Sequence, residues 1–147
     1  MSSALPLAGA HPLLGPLVGL VSWTFVMETW MYALRLPAME KYKVDVHPGM
    51  TKGDMNSKLP ASVRWPADNY DHLHEQPTVF YAIIFALDRL GMQDTLTVRL
   101  AWTYVALRIV HSLVQASTNA IMVRFSLFAA SSVTLVGLTG LAGRAFF

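Results

Sequence analysis

From Pro12 to Leu34 the chain is apolar except for a single charged residue, Glu28. A bilayer-crossing helix takes about 20 mostly apolar residues, so this run is predicted to span a membrane. The composition extends the argument to the rest of the chain. Apolar residues make up 54% and charged residues only 14%, against roughly a quarter charged in a soluble domain. An integral membrane protein of a single domain is expected. The net charge of +2 is too small to call for a nucleic-acid partner. With no cysteine present, disulfides and thiol nucleophiles are excluded. Met1 to His11 holds no lysine or arginine, so the first apolar run reads as a true span rather than a cleaved signal peptide.

Four helices are predicted, at about 12–35, 66–91, 95–116 and 120–145, giving an all-α, up-down four-helix membrane bundle. Glu28, Tyr32 and Arg35 share a face of the first helix. The segment 36–65 reads as a polar loop with Lys41, Lys43, Lys52, Lys58 and Arg64, whose basic charge places it on the cytoplasmic side. The second helix is expected to start at Pro66, since proline suits a first helical turn, and to kink at Pro77. Its early part, Asp68 to Glu75, packs three acids and two histidines into eight residues. Asp68, Asp71, His72 and Glu75 are spaced to share one face. In the third helix Arg108, His111, Ser112 and Gln115 recur at i, i+3, i+4 and i+7. The fourth helix carries Arg124 near its start and then Ala129, Ala130, Ser131, Ser132, Gly137, Gly140 and Gly143, small residues that let membrane helices approach closely.

With four spans, both chain ends lie on one side, and the basic loop and the turn at Ser117-Thr118-Asn119 lie on the other. Glu28 and Arg35, the acidic face at Asp68–Glu75, Arg108 with His111, and Arg124 then reach similar depth. Four segments distant in sequence bring polar groups to one end of an apolar bundle. Ionisable residues within spans are costly and mark functional sites by default. A metal site from His72, His74, Glu75 and His111 is disfavoured, because residues two apart point to opposite sides of a helix. No Gly-x-Ser-x-Gly elbow is present for serine catalysis, and no internal repeat supports a transporter.

Glu75-Gln-Pro77 followed by Val79-Phe80-Tyr81, Arg108-Ile-Val-His111, and Arg124 after a short turn resemble the MAPEG superfamily. These are the membrane-associated proteins of eicosanoid and glutathione metabolism, and the likeness is closer to bacterial-type members than to the eicosanoid enzymes. The resemblance implies a homotrimer of four-helix subunits, with glutathione as co-substrate bound between subunits near the cytoplasmic side.

On the same resemblance, Arg124 is the catalytic cation beside the glutathione sulfur. Arg35, His72, Glu75, Arg108 and His111 are its binding residues, with Glu75 holding the amino group. The sequence departs from the family's pattern at Asp68 and His72, where an arginine and an asparagine are expected, and at Gln115, where a tyrosine is expected. An acidic Asp68/Asp71 face beside the site would repel glutathione's carboxylates. The implied activity is a glutathione-dependent transferase or peroxidase in the cell (inner) membrane, acting on a lipophilic substrate and surrounded by membrane lipids. The alternative is a non-catalytic protein of the same fold, an accessory subunit or lipid-binding module, whose acids pair internally with Arg35, Arg108 or Arg124.

Overall fold

A computed structural model describes residues 11–146. The stretch from Met1 to Ala10, read above for signal-peptide character, lies outside them. The described residues form six helices and no strand: α1 (Leu14–Lys41), α2 (Lys52–Lys58), α3 (Ala61–His72), α4 (Gln76–Arg89), α5 (Thr95–Ser117) and α6 (Ile121–Gly143). The segment expected to be a polar loop over 36–65 is therefore largely helical. α1 continues through Pro37, because a proline this close to a helix end costs one hydrogen bond while Ala38 still gains burial. α2 starts at a capping box. The Thr51 hydroxyl accepts from the Asp54 N–H, and the Asp54 carboxylate accepts from the Thr51 N–H.

The second expected helix is two helices. α3 starts after Pro60, not at Pro66, which lies inside it. Proline 66 frees the carbonyl four residues back, at Ser62, and Ser62 is exposed to solvent. The kink expected at Pro77 is a full break at Leu73-His74-Glu75. Pro77 sits in the first turn of α4, where its missing N–H is not needed. The break redirects the chain just where the titratable residues cluster.

α5 is capped by Asp94, whose carboxylate accepts from the N–H groups of Leu96 (2.9 Å) and Thr97 (3.2 Å) and from the Thr97 hydroxyl (2.7 Å). Those bonds, the Thr97 hydroxyl first, hold the Asp94 carboxyl below its ordinary range. The turn before it uses Gly91 at φ +68, a left-handed position that favours glycine.

α5 and α6 form the most extensive helix pair. α1 packs on α3, α4 and α5, and α4 packs on α6. The core holds Leu20, Met27, Phe80, Ile84, Leu87, Tyr104 and Leu138. Phe80 stacks on Tyr104 with centroids 4.4 Å apart. Close approach of α1 to α5 depends on Gly15 and Gly19, against which the Trp102 indole lies: a Cβ on either would meet it at 3.3 Å. Gly140 and Gly143 of α6 do not serve this purpose within the chain, since a Cβ on either meets nothing within 4 Å.

Among the described residues, α1 and α6 are long and apolar enough to cross a membrane. α4, at 14 residues, reaches only about 21 Å and cannot cross a ~30 Å hydrocarbon layer alone. Large apolar side chains face outward, including Phe25, Met122, Val133 and Val136. A surface of that kind suits lipid or another subunit.

Candidate functional site

The buried stripe of α5 is apolar or weakly polar in its first half, at Ala101, Tyr104 and Val105, and strongly polar in its second, at Arg108, His111, Ser112 and Gln115. Arg108 is completely buried. Its Nη2 donates to the His72 carbonyl and to His72 Nδ1, each at 3.0 Å. A guanidinium only donates, so His72 Nδ1 accepts, and a neutral His72 carries its proton on Nε2. The His72 ring lies 5.1 Å from that of His111 and 5.5 Å, edge-on, from Phe128. The Phe128 ring also lies 5.9 Å from the Arg108 guanidinium carbon, within cation–π range.

His72, His111, Ile121, Arg124, Phe125 and Phe128 line a cavity of about 370 Å³. Arg124 is oriented by Asn119, whose side-chain oxygen accepts from its Nη1. Asn119 has φ 52 and closes the end of α5 by donating its N–H to the Val114 carbonyl, a role that asparagine tolerates in the left-handed region. Arg108 Nε and Nη1, Arg124 Nε and His111 Nδ1 are buried and have no partner among the described residues. Buried polar atoms without partners are costly, and Arg124 and His111 hold theirs in side chains that line the cavity.

The structure brings His72, Arg108, His111 and Arg124 together. Glu75 stands at the rim, with Oε2 3.9 Å from His72 Nε2 and its side chain 67% exposed. Arg35 is elsewhere. It donates to Asn56 at 3.3 Å and lines a separate cavity with Met31, Met39, Met50 and Met55. The single acidic face expected over Asp68–Glu75 is divided. Asp68 and Asp71 both pair with Lys52 at the start of α2, while His72 and Glu75 face the cavity side. The two acids thus share the single charge of Lys52, and neither lines the cavity. His74 lies in a third cavity, apart from His72.

Several participants were not singled out from sequence. Asn69 donates to Gln115 at 2.9 Å inside the bundle. Gln76 donates to Ser132 at 2.7 Å and accepts from Tyr104 and Ser131 at 3.3 Å. Asparagine after a helix end was the available signal for Asn119; the amide pairings had none, because their partners come from other helices.

A family model, that of the MAPEG family, matches residues 13–144. The chain belongs to the MAPEG family. No curated protein and no solved structure matches it. Membership and the two apolar helices make this MAPEG chain a membrane protein, of a family generally associated with glutathione.

Proposed function

We propose that this MAPEG protein is a glutathione-dependent transferase or peroxidase acting on a lipophilic substrate in the cell membrane. One observation carries the reading: α3, α5 and α6 bring His72, His111 and Arg124 around one cavity, with Arg108 bonded to His72 behind them and buried N–H groups left unpartnered. Glutathione has two carboxylates and one ammonium, and that charge pattern fits a cationic wall with one carboxylate, Glu75, at its rim. Bound there, glutathione supplies the sulfur that attacks the electrophile. Arg124, held by Asn119, favours the thiolate over the thiol. Arg108 fixes the His72 ring, and Glu75 takes the ammonium.

The protein is proposed to be a homotrimer with four spans per subunit and the α2 segment on the cytoplasmic side. Arg35 would then serve a neighbouring subunit's cavity, since it does not reach its own. The non-catalytic alternative requires acids closed onto the arginines. Among the described residues, no carboxylate lies within 4.0 Å of a nitrogen of Arg35, Arg108 or Arg124, which favours the first reading. Isothermal titration of the detergent-purified protein with glutathione should show saturable binding. Absence of binding at millimolar ligand would overturn the proposal.

A further inference from the structure

Glu28 has no part in the site above, although it is the one charge inside the most membrane-like part of α1. It lines a groove of about 200 Å³ between α1 and the α3–α4 break, with Thr24, Phe25, Tyr70, His74 and Tyr81. No lysine, arginine or histidine nitrogen among the described residues comes within 4.0 Å of its carboxylate. A carboxylate at membrane depth without a counter-charge is unfavourable. The groove offers what a cation needs in its place. Phe25, Tyr70 and Tyr81 present aromatic rings, whose faces attract cations. His74 shares its Nδ1 proton with the Tyr70 carbonyl at 2.8 Å, which leaves Nε2 of the neutral ring as an acceptor. Val21 and Leu73 complete the lining with Thr24 and Thr78, whose hydroxyls donate to the Leu20 and Glu75 carbonyls, and Phe25 is 63% exposed at the outer edge, so the groove opens on the outer surface of the chain.

We propose that this groove is a second ligand site, for a lipophilic ammonium: the charged nitrogen against Glu28 and the tyrosines, the alkyl part along Phe25 and outward. The proposal is independent of glutathione, because the two cavities share no lining residue.

The test uses the full chain in an uncharged detergent at neutral pH, with octylammonium, octanol and octanoate as probes, each below its own micelle concentration. A ligand that binds only the folded state raises the melting temperature with concentration. Octylammonium is expected to stabilise the protein well above octanol, and octanoate least. Glu28→Gln should weaken octylammonium about tenfold or more and leave octanol unchanged. If the wild-type protein does not prefer the ammonium to the alcohol, the proposal is overturned, and this comparison needs no variant. Equal octylammonium binding by E28Q and wild type overturns it as well. A parallel glutathione titration of E28Q should match wild type, so failure of either site is read separately.

Discussion

At the scale of single residues, the site depends on groups that act through others. Asn119 combines a left-handed backbone with an acceptor for Arg124. Asn119→Gly keeps the backbone free of strain but releases Arg124, whereas Asn119→Ala adds a left-handed cost of about 1 kcal/mol. Both variants should bind glutathione about tenfold more weakly by titration, and only the alanine variant should also melt lower. Asn69 and Gln115 make a different case, a buried pair with no access to water. Asn69→Leu strands the Gln115 amide at about 1–3 kcal/mol. Adding Gln115→Leu should recover part of that loss, because both polar partners are then gone. Chemical denaturation of the two single variants and the double variant measures the coupling, and strict additivity would count against the pair.

At the scale of elements, the second helical segment shows what the sequence could and could not convey. Glycine 91 and Asp94 mark a helix end and a helix start in local terms, and the structure uses both. Pro66 and Pro77 are equally visible but ambiguous, since proline serves a first turn or breaks an interior. Which role applies depends on what surrounds the freed carbonyl, and that is tertiary information. The division of Asp68 and Asp71 from His72 and Glu75 depends on Lys52, a residue from a helix read as loop. The role of Pro77 is testable. As an interior kink, its replacement by alanine would stabilise by up to ~3 kcal/mol. As a first-turn residue of α4, Pro77→Ala should instead destabilise by about 0.4–1 kcal/mol, through greater freedom of the unfolded chain. The Asp94 cap has a pH signature. Its depressed carboxyl contributes stability above the ordinary aspartate range, and that contribution is lost as the carboxyl protonates below about pH 4. Asp94→Asn should therefore flatten the acid limb of the melting-temperature profile.

At the scale of the whole molecule, the position of Arg35 is the informative point. Its spacing from Glu28 on α1 was readable, and so was its family correspondence, but the chain folds with Arg35 in a methionine-lined cavity away from Arg124. No sequence pattern reports whether two residues meet within a chain or across a subunit boundary. A ring of three identical head-to-tail interfaces would bring Arg35 of one subunit to the Arg124 cavity of the next. Complementation separates the cases. Arg35→Ala and Arg124→Ala should each abolish glutathione binding when expressed alone. Co-expressed in equal amounts, they mix at random, and about one interface in four joins an intact Arg35 to an intact Arg124. Titration of the mixture should then recover about a quarter of the wild-type sites per chain. If both arginines act within one subunit, no mixed assembly contains a complete site, and the mixture stays silent.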